Sequence, residues 1–489
     1  MKILFVFEDI NVEHLGVMYM SSMLKENGHE TDIVYADYPA IESRLKEEDG
    51  PVILAYSTHA FYNEHFVRLS EDIKKYFNVF SVFGGQYPTA NPDMIMRPGV
   101  DSVCIGEGEY TLLELADRLD KGADISDIEG LWLKKSGEII KNRLRPLIED
   151  PDRLLFPDRN LFREKAPFFQ ERISVITSRG CFFDCPYCYN STLKRLYKDN
   201  KYRRRSVDNV VAEVLAVKEL QTVKFILFHD DIFTHPVSWL EEFAVKFKAQ
   251  CRVPFSCYVR IDMVTEKIID LLKEAGCYSI SFGVESADEF LRKSTYKRSM
   301  EKKMMIDTSR MLKKSGIRVR TTNIIGAPES SVKADIETAR LNVRCGVDLA
   351  KVGILAGYPS TEISDQMTES GIWAVYYKIK TPFFIRMLKM VSPNIVRRFE
   401  RLMLSVKGPQ YSNKTEMEKR MTANLIVLFP VAVGFPVLLP FLYWLIKFPV
   451  NIFFVLSGYV WDNYCTYLRI YNTGVFGFFR GFIKRKRSI

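Results

Sequence analysis

Cysteine is scarce in this sequence outside one short loop, and its scarcity narrows the class of protein. The chain has nine cysteines in 489 residues, and six of them are scattered singly. No cleavable signal peptide opens the sequence, so we expect a reducing, cytoplasmic setting in which these six are free thiols. A disulfide-stabilised secreted domain is therefore not expected.

Acidic residues are scarce in the last quarter of the chain. Residues 371–489 contain 18 Lys and Arg against 4 Asp and Glu, a net charge of +14, whereas the residues before them carry −5. A basic tail of this kind suits nucleic acid or an anionic lipid surface. The apolar sequence between its basic residues favours the lipid surface over nucleic acid.

Charge is absent altogether from residues 421–446, a stretch long enough to cross a bilayer. Pro430, Pro436 and Pro440 would each remove a backbone hydrogen bond from a helix, so a straight single-pass helix is disfavoured. Short helices dipping into one leaflet, or a hairpin lying on the membrane, suit the prolines better. We predict an α-helical tail on the cytoplasmic face of a membrane, peripheral, monotopic or single-pass. Residues 383–406 mix apolar side chains with basic ones, which predicts a pair of interfacial amphipathic helices broken near Pro393. Core helices of a soluble cap are the alternative for these residues.

Cys181, Cys185 and Cys188 form the one dense group of cysteines, with C-x3-C-x2-C spacing. Three thiolates are one fewer than the four that close an ordinary zinc or iron–sulfur site. No fourth Cys or His lies near them. The spacing favours a 4Fe–4S cluster with one iron open to a small ligand, and a zinc site or a chance grouping is the alternative.

The first 125 residues alternate apolar runs with helical patterns, which predicts a doubly wound, Rossmann-like α/β sheet. The predicted strands are 2–7, 31–35, 52–57, 79–83 and 100–105. Ligands bind such sheets at the carboxyl ends of the strands, where small or polar residues follow three of them. These predict a site for a cofactor-sized ligand at Ser57, Thr58, Gly84, Gly85, Gln86, Thr89, Gly106, Glu107 and Gly108.

A linker at 126–168, with a hairpin around Ser136-Gly137, leads to a second series of strands. The cysteine loop follows the first of them, as catalytic loops do in β/α barrels. Six strands within 169–370 predict a partial (β/α)6 barrel. They are 173–177, 223–228, 254–258, 279–284, 318–325 and 352–355.

The cysteine spacing, the aromatic Tyr187 and the polar strand ends together resemble the radical S-adenosylmethionine (SAM) enzymes. The Gly-Gly, Pro-Thr and Gly-Glu-Gly-Glu loops resemble the cobalamin-binding domain that precedes many of them, as in class B methyltransferases, anaerobic porphyrin cyclases and hopanoid methylases. The resemblance implies that the three cysteines hold a 4Fe–4S cluster and that the nine loop residues named above bind cobalamin. It also implies that SAM is bound by Tyr187, Asp230, Asp231, Tyr258, Arg260, Glu285, Pro328 and Pro359.

Two departures from the family patterns stand out. The Asp-x-His-x-x-Gly motif that supplies a histidine to cobalt is absent, so His14 is not expected to bind the metal. Ser360 replaces the glycine usual in the Pro-Gly-Thr-Glu segment. A degenerate domain that has lost cobalamin is the alternative for the first 125 residues.

The resemblance implies a C-methyltransferase that uses a 5′-deoxyadenosyl radical, supplied with electrons by a flavodoxin- or ferredoxin-type donor. The apolar tail favours a lipid-like substrate. A radical SAM oxidative cyclase or carbon–carbon coupling enzyme is the first alternative, and a non-catalytic, membrane-bound iron–sulfur protein is the second. The oligomeric state is open.

Overall fold

A computed structural model describes residues 1–7, 13–58, 63–163, 171–198, 201–325, 327, 330–355 and 359–369. The predicted membrane tail at 371–489 and Pro328 lie outside this part. Within it, no helix combines the length and apolar character needed to cross a membrane. The described residues form two compact units, the first within 1–184, 188–231 and 359–362, the second within 185–187, 232–355 and 363–369.

The first unit contains a seven-stranded sheet, ordered β2-β1-β3-β4-β5-β6-β7. Strands β1 to β5 are parallel, whereas β6 and β7 pair antiparallel at one edge. The predicted linker hairpin is thus an extension of this sheet, and Ser136 and Gly137 turn it with positive φ angles of 52° and 85°. The strands are β1 Lys2–Phe7, β2 Glu30–Tyr35, β3 Val52–Ser57, β4 Val79–Gly84, β5 Ser102–Cys104, β6 Leu131–Lys135 and β7 Glu138–Lys141.

Successive side chains of the central strand point to opposite sides of this sheet, so both of its faces are apolar. Helices cover both faces. Leu4 and Val6 of β1 belong to one buried apolar cluster, and Ile3 and Phe5 belong to another. This confirms the predicted Rossmann-like domain. The helices are α1 Leu15–Glu26, α2 Tyr38–Leu45, α3 Asn63–Lys74, α4 Gln86–Ala90 and α5 Glu109–Asp120.

The first unit continues with the segments around the cysteine loop. Strand β8 pairs in parallel with β11, and the two-residue strands β9 and β10, which the sequence did not predict, pair antiparallel. Ser206 caps α8, accepting a hydrogen bond from the Asn209 amide at 3.1 Å. These elements are α6 Asn160–Arg163, β8 Arg172–Val175, β9 Ser178–Arg179, α7 Tyr189–Tyr197, β10 Arg203–Arg204, α8 Val207–Leu220 and β11 Phe225–Phe228.

The second unit contains four parallel strands that alternate with helices. With β8 and β11 of the first unit, all six strands predicted for the catalytic domain are present in the chain. The domain boundaries predicted from the sequence stay predictions. The elements are α9 Val237–Gln250, β12 Phe255–Tyr258, α10 Glu266–Glu274, β13 Cys277–Glu285, α11 Lys302–Lys314, β14 Arg318–Ile325, α12 Val332–Arg344, β15 Leu349–Ile354 and α13 Glu362–Glu369.

Candidate functional site

A cavity of about 580 Å³ lies in the first unit, at the carboxyl ends of the N-terminal strands. This is the size of a typical cofactor or ligand pocket. Seven of the nine residues predicted to bind cobalamin line it, and Thr58 and Thr89 lie buried outside the lining. The seven are Ser57, Gly84, Gly85, Gln86, Gly106, Glu107 and Gly108.

The same cavity is also lined by residues around the cysteine loop and the end of β11. Gly180, Cys188 and Asn190 line it, as do His229 and Asp231. Residues predicted to serve the corrinoid and residues predicted to serve the cluster and SAM therefore border one continuous space.

Gly85 has a backbone conformation that only glycine adopts easily, with φ 99° and ψ −164°. A Cβ here would lie 3.0 Å from the Thr58 carbonyl oxygen. The Thr58 amide in turn donates to the Gly84 carbonyl at 2.9 Å. The absence of a side chain at Gly85 thus lets the loop pack directly against the end of β3.

The glycine loop after β5 is held from two sides. The amide of Gly106 donates to the Thr89 hydroxyl at 3.0 Å. On the other side, a Cβ on Gly106 would collide with the hydroxyl of Tyr197, at the end of α7. Burial raises the pKa of Tyr197 to about 12, so this phenol is neutral at physiological pH.

Glu107, predicted to contact cobalamin, has its carboxylate bound by two arginines. Arg203 Nη1 lies 2.9 Å from both carboxylate oxygens, and Arg179 Nη1 lies 3.2 Å from one of them. The Ile148 amide also donates to it at 2.7 Å. Burial alone would raise the pKa of Glu107, but the two guanidinium groups hold it below its usual value. A direct contact with cobalamin stays a prediction.

His14 lines the cavity with its ring stacked on Phe7, the centroids 4.3 Å apart. Phe162 packs near the same imidazole at 5.8 Å. This aromatic packing gives His14 a structural role. The expectation that it is not a cobalt ligand stays a prediction.

Strand β8, which leads into the cysteine loop, is anchored by a buried ionic network. The Ser174 amide donates to Glu13 at 2.7 Å, and Arg159 donates to the Ser174 carbonyl at 2.8 Å. Glu213, which is fully buried, accepts from both Arg159 and Arg205. Removing one partner of a buried ion pair leaves an uncompensated charge, which is strongly destabilising. The network therefore holds the strand before the first cysteine in place.

The donor chemistry of the cysteine loop suits a 4Fe–4S cluster. Cys181 and Cys185 are buried, Cys188 is half-buried, and none of the three forms a disulfide. Cys188 is the N-cap of α7, where the helix dipole favours a thiolate. Within the described residues, no three His, Cys, Asp or Glu side chains are already gathered into a metal-binding group.

Asp230 and Asp231, both predicted to face SAM, have different surroundings. Asp230 Oδ1 accepts from the Thr177 amide and hydroxyl at 3.0 and 2.7 Å and from the Ser178 hydroxyl at 2.6 Å. Asp230 therefore holds the base of the cysteine loop, and its buried Oδ2 has no hydrogen-bond partner in the described part. Asp231 faces the cavity, and desolvation there raises its pKa.

In the second unit, the half-buried Tyr187 and the buried Glu285 form a group with Arg298, which sequence reasoning missed. The Tyr187 hydroxyl donates to Glu285 Oε1 at 3.3 Å, and Arg298 Nη1 donates to that hydroxyl at 3.2 Å. Arg298 also lies 3.8 Å from Glu285. Burial raises the pKa of Glu285 against the opposing effect of Arg298. The Lys297-Arg298 pair beyond this strand end was the available signal.

The Gly-x-Glu spacing at the end of β13 has a steric reason. Glu285 has φ 58°, and its carboxylate folds back over Gly283, where a Cβ would collide with it. Arg298 Nη2 donates to the Gly283 carbonyl at 3.1 Å. Glycine at position 283 therefore makes room for both the carboxylate and the guanidinium.

The remaining predicted SAM residues are less tightly grouped. Arg260 is buried and forms a two-point ion pair with Asp262, at 3.0 and 2.6 Å, so its charge is already balanced locally. Tyr258 is 37% exposed at the end of β12. Pro359 lies in the turn before α13, and Pro328 lies outside the described residues. Contacts of these residues with SAM stay predictions.

Known family models match both halves of the described chain. The B12 binding domain matches residues 10–116, and the Radical SAM superfamily matches residues 175–341. An uncharacterized methyltransferase of Pyrococcus horikoshii is 30% identical over 368 residues, which cover 71% of this chain and 77% of that protein. The chain therefore belongs to the cobalamin-binding radical SAM enzymes, and its cofactors are a 4Fe–4S cluster, SAM and cobalamin.

Further similarities agree with this family. An anaerobic magnesium-protoporphyrin IX monomethyl ester cyclase of Rubrivivax gelatinosus is 24% identical over 377 residues, covering 72% of this chain and 65% of that protein. The radical SAM methyltransferase TsrM of Kitasatospora setae shares the fold, with a TM-score of 0.62, 16% identity and 76% of each chain covered. The cobalamin-dependent enzyme OxsB also shares the fold, with a TM-score of 0.59 and 18% identity. The match covers 76% of this chain and 55% of the OxsB chain.

Proposed function

We propose that this enzyme is a cobalamin-dependent C-methyltransferase that acts on an unactivated carbon of an apolar, lipid-like substrate. One observation carries the proposal: Gly84 and Gly106, at the predicted corrinoid loops, line the same cavity as Cys188 and Asp231. When bound, SAM at the cluster supplies a 5′-deoxyadenosyl radical that removes a hydrogen atom, and cobalamin supplies the methyl group. One shared space brings these two functions to the same carbon.

The chain's own residues position the cofactors. In this proposal Cys181, Cys185 and Cys188 bind the cluster. Asp230 secures the residues just before the first cysteine, and Glu285 with Tyr187 presents oxygen groups to SAM. The nine loop residues of the first sheet cradle cobalamin, with Gly85 and Gly106 allowing close backbone approach.

An apolar substrate is supported by two features. Leu15, Met20, Ile176 and Leu193 contribute apolar side chains to the cavity. The uncharged sequence at 421–446 suits attachment to the cytoplasmic face of a membrane, where such a substrate would be concentrated. A polycyclic or isoprenoid lipid fits both features.

The test begins with full-length protein reconstituted anaerobically with iron, sulfide and hydroxocobalamin. A corrinoid absorption band should remain after desalting, and SAM should be cleaved under a strong reductant. Incubation with membrane lipid extract and methyl-labelled SAM should then give a lipid product heavier by one methyl group. The Cys185→Ser variant is the control, because it should keep the corrinoid and lose SAM cleavage. If the protein retains the corrinoid and cleaves SAM but yields no labelled lipid, the proposed substrate class is overturned and the two cofactor assignments stand.

An oxidative cyclase is the second candidate, because a relative with that name covers 72% of this chain. The two reactions share both cofactor sites and differ in the fate of the substrate. A methyltransferase adds one methyl group to its product, whereas a cyclase product has lost hydrogen. Mass analysis of the product separates the two.

Removal of residues 421–489 should release the protein from membranes, and unchanged membrane binding and lipid methylation would contradict the proposed role of the tail.

A further inference from the structure

The side-chain amide of Asn190 lies between two acceptors. Its Nδ2 is 2.9 Å from Asp231 Oδ2 and 3.8 Å from Cys188 Sγ, all within the first unit. A carboxylate and a thiolate both accept hydrogen bonds, so the NH₂ group rather than the carbonyl of Asn190 must face them. Its two hydrogens are thus divided between the carboxylate of Asp231 and a cysteine predicted to bind the cluster.

The local fold explains why Asn190 reaches both partners. Cys188 is the N-cap residue of α7, and Asn190 is the second residue of that helix, so the side chain of Asn190 can turn back towards the Cys188 thiol. Ser191 donates from its amide and hydroxyl to the Cys188 carbonyl, at 3.0 and 2.7 Å, which holds this first turn in place. Asp231 follows β11 and approaches from a separate element. The amide is therefore oriented by contacts on two sides.

A hydrogen bond to a cluster thiolate changes the electron affinity of the metal centre. It withdraws electron density from sulfur and stabilises the reduced, more negative state of the cluster. The N-terminus of α7 acts on Cys188 in the same direction. We propose that Asn190, oriented by Asp231, is a positioning residue that donates an N–H···S bond to Cys188 and raises the reduction potential of the 4Fe–4S cluster. This inference is independent of the substrate and of methyl transfer.

The direct test measures the midpoint potential of the anaerobically reconstituted full chain, following the reduced cluster by electron paramagnetic resonance. In Asn190→Leu, the ratio of reduced to oxidised cluster at a fixed potential should fall about tenfold, which corresponds to a shift of about −59 mV for a one-electron couple. Asn190→Asp, nearly identical in shape but lacking the donors, should shift in the same direction. Iron and sulfide content must match the parent in each variant.

Thr192→Val is the matched control. Thr192 is on the same helix and donates to the Ser360 carbonyl at 3.1 Å, so its loss perturbs the helix without removing a donor to Cys188. Its midpoint potential should equal that of the parent. Unchanged potentials in both fully loaded Asn190 variants would overturn the inference. So would an equal shift in Thr192→Val, which would assign the effect to helix packing.

Discussion

The carboxylate of Glu107 accepts two hydrogen bonds from a single guanidinium nitrogen of Arg203, each 2.9 Å long. Glu107 lies in the glycine loop of the first sheet, and Arg203 lies in β10, beyond the cysteine loop. Arg179, in β9 just before the first cysteine, binds the same carboxylate at 3.2 Å. The predicted corrinoid loop is thereby joined by ion pairs to the strands on both sides of the predicted cluster loop.

Replacing Glu107 with Gln should destabilise the first unit by about 3 kcal/mol, because the buried Arg203 loses this carboxylate, whereas Arg179 keeps its ion pair with Glu109. Corrinoid retention should fall with it, since Gly106 and Gly108 flank the changed residue. Chemical denaturation followed by circular dichroism measures the first effect, and absorption after desalting measures the second. Glu138→Gln is the control, because Glu138 is exposed on β7. Equal stability of the two variants would contradict the role of the ion pairs.

The pH dependence of this ion pair has a definite sign. The arginines hold the folded-state pKa of Glu107 below its usual value of 4.5. A carboxyl with a lowered folded-state pKa contributes stability that is present above the unfolded pKa and lost as pH falls through the folded pKa. The free energy of unfolding of the parent should therefore drop more steeply below about pH 4.5 than that of Glu107→Gln. Parallel pH profiles would show that Glu107 is not linked to folding.

Gly85→Ala should destabilise the corrinoid loop by about 2 kcal/mol, because alanine strongly disfavours φ 99° and its Cβ would lie 3.0 Å from the Thr58 carbonyl. Cobalamin retention should decrease as the loop shifts. Gly50→Ala is a matched control, since a Cβ at Gly50 meets nothing within 4 Å. Thermal unfolding and corrinoid absorption provide the readouts. A Gly85→Ala variant as stable as Gly50→Ala would show that the loop tolerates a side chain.

The apolar periodicity of the sequence was enough to predict the strands of both series. Runs such as Lys2–Phe7 are buried on both faces, and a continuous apolar run is the pattern that such strands require. The glycines at strand ends were also informative, since Gly85 and Gly106 have conformations or contacts that exclude side chains. Local chemistry of this kind is visible without tertiary structure.

Long-range pairing was not predictable in the same way. The contact of Glu107 with Arg203 spans 96 residues, and no local pattern specifies which of many arginines meets a given carboxylate. Arg298 was missed for the same reason. The Lys297-Arg298 pair is visible in the sequence, but a basic surface residue and a buried one look alike there. The hairpin around Ser136-Gly137 was predicted, but its addition to the edge of the sheet depends on strand pairing that periodicity does not encode.

Arg298→Met should destabilise the second unit by about 3–5 kcal/mol, since Glu285 would lose its buried positive partner. Burial already raises the folded-state pKa of Glu285, and losing Arg298 should raise it further. A raised folded-state pKa makes a buried carboxyl cost stability as pH rises above its ordinary pKa of 4.5, so the variant should lose more stability than the parent as pH rises from there. Arg298→Lys should recover part of the stability. A pH-independent loss in Arg298→Met would contradict the link to Glu285.

Ser360 occupies the position where the family pattern has glycine, and it keeps a left-handed backbone with φ 58°. Its hydroxyl donates to the Ala90 carbonyl at 2.5 Å, while its own carbonyl accepts from Arg195 and Thr192 of α7. Ser360→Ala keeps the left-handed strain and loses the hydroxyl bond, so it should cost about 1 kcal/mol. Ser360→Gly loses the same bond but relieves about 1 kcal/mol of strain, so its free energy of unfolding should stay close to that of the parent. Denaturation of the three proteins side by side separates the two effects. An alanine variant as stable as the glycine variant would show that the left-handed backbone costs nothing at this position.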